Sequence, residues 1–213
     1  MSQKKKTNVN TVELLGFYGS DAIHGLSAWC STARELTDEK KERLGVFVKR
    51  LAQDGHHTPF EKSMLHFLVT ADTATHIHIL KHRIGVSVNA ESARYKELKD
   101  DKFLLPEDWP SLEQQRLLEH MHVSYERYHA CIQRLEPLVG RKRAKESARF
   151  YLPYANQITL DVSFNFRSFY HFQALRNSEH AQKEVRDVAQ EMLRLVGATG
   201  AFPLTLEAFG YAH

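Results

Sequence analysis

The chain has 213 residues, of which 42% are hydrophobic and 26% are charged, and its formal net charge is +3 at pH 7. A chain of this length buries enough surface to fold without covalent staples, and so small a charge does not by itself indicate nucleic acid as a partner. The sequence has no apolar run near the roughly 20 residues that cross a bilayer, so we expect no membrane segment. We expect residues 11–213 to form one domain, preceded by a flexible Lys-rich tail at residues 1–10.

The cysteines and the first residues favour a cytoplasmic location. Cys30 and Cys131 form neither a CxxC motif nor a disulfide framework, which is typical of a reducing compartment. The polar residues 1–10 lack the apolar segment of a secretory signal. We therefore expect a cytoplasmic protein.

In the first half of the chain, periodicity predicts two strands and two helices. Residues 12–17 alternate weakly and suit a first strand, whereas apolar residues recur at helical spacing over residues 39–54. Residues 64–70 are apolar on both faces apart from His66, which is typical of a buried strand. A helix at residues 73–81 follows.

The second half begins with a linker or lid at residues 99–110, which contains two prolines. A long helix with an apolar seam begins at Ser111, and we expect Pro137 and Gly140 to end it. The clearest strand of the chain covers residues 158–166, where apolar and polar residues alternate. Asn165 and Ser168 then suit the entrance of a helix.

A basic helix at residues 141–150 and a final helix near residues 180–196 complete the elements. Strands and helices are mixed without a strand–helix–strand rhythm, and the sequence lacks the glycine fingerprint of a dinucleotide-binding unit. We therefore predict an α+β fold with helices packed on a mainly antiparallel sheet and no Rossmann unit.

Histidines are frequent, but we predict no metal site. His76 and His78 are two residues apart and do not share a helix face. No cysteine or carboxylate cluster completes a ligand shell near them.

The helix at residues 141–150 carries a dense basic run, which is Arg141, Lys142, Arg143, Lys145 and Arg149. Such a run usually forms a solvated face. A basic helical nucleic-acid-binding protein is nevertheless one interpretation of this chain.

Residues 81–95 (KHRIGVSVNAESARY) concentrate cations, hydroxyls, a carboxamide and a carboxylate among small residues. Small residues let the backbone approach a ligand closely, and Arg with Ser near backbone N–H groups suits a phosphate. The alternative is a polar helix-to-loop transition with ordinary surface charges.

This stretch resembles the signature R-H-R-x-x-S-x-N-x-x-S-x-R-Y of flavin-dependent thymidylate synthases. The second half matches at Ser87, Asn89, Ser92, Arg94 and Tyr95. In the first half, Lys81 replaces the leading Arg, and one extra residue separates Arg83 from Ser87. We expect Gly85 to absorb this insertion as a local bulge.

Two further blocks are similar to the same family. Residues 56–61 match its H-x-(T/S)-P-F-E segment, which contacts the flavin. Residues 165–182 match its N-x-R-S…L-R-x-x-x-x-H-A-Q block, except that His171 stands where many members have Asn. The three blocks occur in the family's order and span most of residues 11–212.

The resemblance implies an enzyme that methylates dUMP to dTMP. Methylenetetrahydrofolate would supply the carbon, reduced FAD the hydride, and NADPH the electrons that reduce the flavin. It also implies a homotetramer whose subunits share the active site. A flavoprotein of this fold without synthase activity is an alternative, since the signature is altered.

The resemblance also implies the residues of the site. The flavin contacts would be His56, Thr58, Glu61, His82, Arg83, Asn89, Asn165, Arg167, His171 and His180. The substrate contacts would be His78, Lys81, Glu91, Ser92, Ala93, Arg94, Arg149 and Arg176. Ser92, Arg94 and Arg149 would hold the phosphate, and Glu91 would take over the role of a Glu that Ala90 replaces. Arg176 would be catalytic and would polarise the uracil ring; the alternative is a surface Arg paired with Glu179.

Overall fold

The computed structural model of the chain describes residues 8–92, 94–98 and 102–211. Most of the predicted N-terminal tail and the start of the predicted linker, residues 99–101, lie outside these described residues. Asn10, at the end of the predicted tail, donates a hydrogen bond from its side chain to Asp72 at 2.8 Å.

Four strands form one open, antiparallel sheet in the order β1-β2-β4-β3. They are β1 Thr11–Tyr18, β2 Met64–Asp72, β3 Val86–Ala90 and β4 Gln157–Phe164. Helices pack on this sheet, so the prediction of an α+β fold with a mainly antiparallel sheet is confirmed. The short strand β3 was not predicted.

Strand β2 is buried on one face only, so the prediction that both faces are buried is wrong. Leu65, Phe67, Val69 and Ala71 are fully buried, whereas the residues between them are partly exposed. The partly exposed face pairs with β4 through polar side chains, because His66 hydrogen-bonds Asp161 at 2.6 Å and Thr70 hydrogen-bonds Thr159 at 3.1 Å.

Eight α-helices are found in the described part of the chain. They are α1 Asp21–Trp29, α2 Asp38–Gln53, α3 Thr73–Leu80, α4 Ser111–Val139, α5 Arg141–Ala148, α6 Phe166–Arg176, α7 Lys183–Ala198 and α8 Pro203–Ala208. Two 3-10 helices, Thr58–Lys62 and Arg149–Tyr151, connect them to their neighbours. The sequence did not predict α1 or α8.

The chain divides into two compact units. The first unit consists of the described residues of Met1–Thr11, Val69–Ile79 and Asn89–Leu160, and the second of Val12–Leu68, Leu80–Val88 and Asp161–His213. Each unit has a core of its own.

The core of the first unit lies along α4. The predicted apolar seam is confirmed, because Met121, Tyr125, Tyr128 and Ile132 are buried there and pack with Ala144 and Ala148 of α5. Helix α4 continues through Pro137 to Val139 and ends only at Gly140, whose φ is +78°. A proline removes one backbone hydrogen bond from a helix. Pro137 is tolerated because α4 ends only two residues after it.

The core of the second unit is rich in phenylalanine, with Phe60, Phe166, Phe169, Phe172 and Phe202 buried. Helix α6 begins where Asn165 caps it, since its Oδ1 accepts a hydrogen bond from the Ser168 N–H at 2.8 Å. The cap agrees with the sequence, where these two residues suit the entrance of a helix.

A buried histidine links distant parts of the second unit. His24 is fully buried, and its ring nitrogens lie 2.9 Å from Thr205 Oγ1 and 2.9 Å from Ser63 Oγ. Thr205 donates its hydroxyl to Asp21 Oδ1 at 2.6 Å, so Thr205 accepts from His24 Nδ1–H and Ser63 donates to Nε2. Burial lowers the pKa of His24 to about 4, and the ring is therefore neutral at pH 7.

Candidate functional site

The second unit contains a cavity of about 520 Å³ in which residues of all three predicted blocks meet. Its lining comprises His57, Glu61, Lys81, His82, Arg83, Ile84, Val86, Asn165, Arg167, Ser168, Tyr170, His171, Leu175 and Arg176. The volume falls within the range of roughly 300–1,000 Å³ that small-molecule sites occupy. Residues distant in the sequence thus form one candidate ligand site.

The loop between α3 and β3 reaches this cavity through a left-handed turn at Gly85, whose φ is +64°. Ile84 and Gly85 offer their carbonyls to the start of α6. Ser168 Oγ donates to Ile84 O at 2.6 Å, and Asn165 N–H donates to Gly85 O at 3.1 Å. The left-handed turn thus lies at the residue where a bulge was predicted, and its two hydrogen bonds hold the signature against α6.

The cavity is lined by more positive than negative charge. Lys81, Arg83, Arg167 and Arg176 contribute cations, and Glu61 contributes the carboxylate. Arg167 forms an ion pair with Glu61, so these two predicted flavin contacts hold each other. The remaining positive charge suits an anionic ligand such as a phosphate ester.

Arg176 lies at the C-terminal end of α6 and donates a hydrogen bond from Nε to His82 Nε2 at 3.1 Å. His82 is 8% exposed, and its ring packs edge-on against Phe172 and His171 at centroid distances of 5.0 and 5.6 Å. The structure thus places Arg176 in the lining of the cavity. Within the described residues its side chain hydrogen-bonds His82 and not Glu179.

The other predicted flavin contacts lie outside the lining. His56 precedes the 3-10 helix that begins at Thr58, and His180 is an exposed residue that follows α6 in the chain. Asn89 is an exposed residue of β3 and belongs to the first unit. Their assignment as flavin contacts stays a prediction.

Two aromatic residues of the lining, His57 and Tyr170, were missed by sequence reasoning. Their ring centroids are 6.1 Å apart, and Phe209 packs against both of them, at 5.6 Å from His57 and 4.2 Å from Tyr170. The pair His56-His57 was a signal, but only the fold shows which of the two histidines faces the cavity.

The predicted phosphate contacts belong to the first unit. Arg94 Nε donates to Glu146 Oε1 at 2.6 Å, and this hydrogen bond lowers the pKa of the Glu146 carboxyl. Ser92 Oγ accepts a hydrogen bond from the Arg94 N–H at 3.3 Å, and Arg149 is exposed, with its guanidinium 6.0 Å from the Phe150 ring. Ala93 lies outside the described residues.

Glu91 is held within the first unit. Burial raises the pKa of Glu91, but hydrogen bonds from Lys96 and from the Thr159 N–H outweigh it, so the pKa lies below its ordinary value. The carboxylate is therefore charged and bonded within the chain.

Among the described residues, the Nδ1 atom of His78 is buried without a hydrogen-bond partner, as is Nε2 of His76.

The basic run at the start of α5 pairs within the chain. Arg141 bonds Glu97 and Glu136, each at 2.7 Å, and Lys145 donates to the Tyr95 carbonyl at 2.9 Å. These contacts leave fewer cations for a nucleic-acid backbone than the sequence suggested.

The described residues contain neither a candidate metal site nor a candidate membrane-spanning helix. No group of three or more His, Cys, Asp or Glu side chains among residues 8–92, 94–98 and 102–211 is arranged to hold a metal ion. No helix in the same residues has the length and apolar character needed to cross a membrane.

Comparison with known proteins places these features in context. The family model of the thymidylate synthase complementing protein matches residues 14–200. A flavin-dependent thymidylate synthase of Pseudothermotoga lettingae is 30% identical over 202 residues, which cover 93% of this chain and 89% of that protein. One of Streptomyces coelicolor is 30% identical and covers 93% of this chain and 90% of that protein.

A solved structure is also similar. The UMP/dUMP methylase PolB from Streptomyces cacaoi, bound with 5-Br dUMP, has a TM-score of 0.79 and 28% sequence identity. The match covers 97% of each chain. The similarity therefore extends over both compact units.

Proposed function

The chain belongs to the flavin-dependent thymidylate synthases, the family of the thymidylate synthase complementing protein, and from this membership we propose that it methylates dUMP to dTMP. Methylenetetrahydrofolate is the carbon donor, and NADPH reduces the FAD. The observation that carries the proposal is the cationic cavity of the second unit, where residues of the three sequence blocks meet.

The charges and the aromatic rings of the lining favour FAD as the ligand of the cavity. Lys81, Arg83 and Arg167 offer positive charge for an anionic cofactor, and the rings of His57 and Tyr170 offer flat apolar surface on the same lining. When bound, the flavin supplies the hydride for the reaction. Glu61 orients Arg167 by pairing with it. The other residues predicted above as flavin contacts remain part of this proposal.

Arg176 is the proposed catalytic residue. A planar guanidinium can donate two parallel hydrogen bonds, which suits the carbonyl oxygens of a uracil ring. Positive charge held there stabilises the negative charge that develops on the ring as hydride arrives. Neither Cys30 nor Cys131 lines the cavity, which favours a mechanism without a cysteine nucleophile.

Ser92, Arg94 and Arg149 are the proposed phosphate contacts. Ser92 Oγ accepts the Arg94 N–H, and in the described part of the chain no base is bonded to this hydroxyl. A serine needs a base to become a nucleophile, so a binding role is favoured. His78, Lys81, Glu91 and Ala93 complete the proposed substrate contacts.

We extend the proposal to the assembly. The single family match over residues 14–200 supports one functional domain over residues 11–213, and the family resemblance supports a homotetramer and a cytoplasmic location. Sedimentation velocity tests the assembly, and a stable, active monomer would contradict it.

UMP is a second candidate substrate. The solved relative is named a UMP/dUMP methylase, and its match covers 97% of this chain. Both nucleotides share the uracil ring and the phosphate that the proposed contacts recognise. The ribose 2′-hydroxyl is the difference between them.

The experiment is an assay of the purified chain. We expect flavin absorption in the protein and FAD in the solution released by denaturation. With methylenetetrahydrofolate and NADPH, dUMP should give dTMP, and UMP is assayed in parallel. Bound flavin without any methylated product would favour the alternative, a flavoprotein of this fold without synthase activity. The absence of both flavin and product would overturn the proposal.

A further inference from the structure

The hydrogen bond between Arg176 and His82 fixes the protonation of His82. A guanidinium has only N–H donors and stays protonated in proteins. The donor in the 3.1 Å contact is therefore Arg176 Nε, and the acceptor is an unprotonated His82 Nε2. The neutral ring then carries its proton on Nδ1.

The surroundings of His82 hold its ring in place. Its side chain is buried, and the rings of Phe172 and His171, one helical turn before Arg176 on α6, pack on it edge-on. A ring fixed in this way presents Nε2 in one direction. Arg176, in contrast, has a long side chain that loses much rotamer freedom when it is ordered.

We propose that His82 is a positioning residue, which accepts the Arg176 Nε–H and so directs both terminal amino groups of Arg176 towards the uracil ring. This inference rests on the proposed function of Arg176. It assigns to the signature histidine a role in the methylation step, in addition to the predicted contact with the flavin. His82 itself does not touch the reacting atoms in this role.

The proposal makes catalysis depend on a neutral His82. A protonated ring would turn Nε2 into a donor and place a second positive charge 3.1 Å from Arg176 Nε, so the pair would separate. The other charged and titratable groups that line the cavity come from three segments of the chain. They are His171, Arg167, Arg176 and Tyr170 of α6, Lys81 and Arg83 beside His82, and His57 and Glu61. Four of them are permanent cations, and these oppose a further positive charge.

The test uses two substitutions at His82 and one control. His82→Gln keeps an acceptor oxygen near the position of Nε2 and cannot be protonated, whereas His82→Leu removes the acceptor at similar size. His120→Gln makes the same chemical change at an exposed position of α4. For each protein we would measure flavin content, KM for dUMP and single-turnover dTMP formation between about pH 5 and about pH 8, where an ordinary histidine titrates.

We expect His82→Leu to lose about 10²-fold in the rate of dTMP formation, which is the typical cost of a misplaced catalytic group. Its KM for dUMP should stay close to that of the wild type. The rate is expressed per bound flavin, because loss of the predicted contact between His82 and the flavin is expected to lower the flavin content as well. His82→Gln should keep most of the rate and lose the acidic limb of the wild-type pH profile. His120→Gln should match the wild type throughout.

Three results would overturn the positioning role. The first is a normal rate of dTMP formation in His82→Leu, and the second is an equal loss of this rate in His82→Gln and His82→Leu. The third is a normal rate per bound flavin in both variants, which would show that loss of flavin causes the lower rate. The tautomer gives a readout apart from activity, because ¹⁵N NMR of the wild type should show an unprotonated Nε2 on His82 at neutral pH. A proton on Nε2 would overturn the pair even if the variants do not fold. A wild type that methylates neither dUMP nor UMP would refute the proposed function. The tautomer of His82 would still show whether its hydrogen bond with Arg176 exists.

Discussion

Gly85 lies directly against Asn165 at the edge of the cavity. The Gly85 carbonyl accepts the Asn165 N–H at 3.1 Å, and a Cβ atom on Gly85 would lie 2.3 Å from Asn165 Nδ2 and 2.4 Å from Ser168 Oγ. A residue with a side chain therefore cannot take this position unless Asn165 and Ser168 shift. The same contact fixes the cap of α6, and with it the helix that carries Arg176.

We expect Gly85→Ala to lower both stability and flavin content. The left-handed conformation alone costs a residue with a Cβ about 1–2 kcal/mol, and the clash with Asn165 adds to it. Gly200→Ala is the matched control, because Gly200 has a φ of +66° with nothing within 4 Å of its added Cβ. Thermal unfolding and flavin absorbance compare the two. Equal effects of the two substitutions would show that the contact with Asn165 does not matter.

The buried His24 predicts how stability depends on acid. Its folded-state pKa of about 4 lies below the ordinary value of 6.5, so the unfolded state takes up a proton that the folded state refuses. The part of the free energy of unfolding that depends on a neutral His24 is fully present above about pH 6.5 and is lost as the pH falls towards about 4. Its total is on the order of 3 kcal/mol. Urea unfolding of the wild type and His24→Gln at several pH values measures it. The free energy difference between the two proteins should shrink on acidification, and a constant difference would contradict the prediction.

We expect Arg176→Lys and Arg176→Ala both to lose dTMP formation severely. Removal of a donor aimed at developing charge typically costs about 10²–10³ in rate, and lysine keeps the charge without the planar two-point contact. Both variants should retain flavin that NADPH still reduces slowly. The measurement is flavin content beside single-turnover dTMP yield. A near-normal yield in Arg176→Ala would remove this residue from the mechanism.

Ser92→Ala separates binding from covalent catalysis. We expect a weaker affinity for dUMP, because a phosphate contact is lost, together with appreciable turnover at saturating dUMP. Isothermal titration and steady-state kinetics report the two quantities. Normal dUMP affinity combined with complete loss of turnover would indicate a nucleophilic serine instead.

The sequence predicted the elements whose periodicity is set locally. The alternation of β4, the apolar seam of α4 and the Asn165 cap of α6 are all visible in short windows, and the structure contains them. The sequence also indicated Gly85 as the residue with backbone angles that other residues avoid, and its φ is +64°.

Other features depend on partners far along the chain. His82 and Arg176 are separated by 94 residues, so no periodicity could indicate their hydrogen bond. Helix α1 was missed because its buried positions, such as His24, are polar and find their partners only in the folded second unit. Strand β2 seemed buried on both faces because the pairing of His66 with Asp161 cannot be read from one strand.

The contacts of Thr205 bear on how the protein folds during synthesis. Asp21 accepts hydrogen bonds from the backbone N–H of Leu204 and Thr205, and His24 takes its second partner from the Thr205 side chain, 181 residues later. Until the ribosome has released α8, Asp21 and His24 lack these partners, and a buried polar group without a partner is costly. The second unit is therefore expected to close only after α8 has been translated, whereas residues of the first unit can pack earlier.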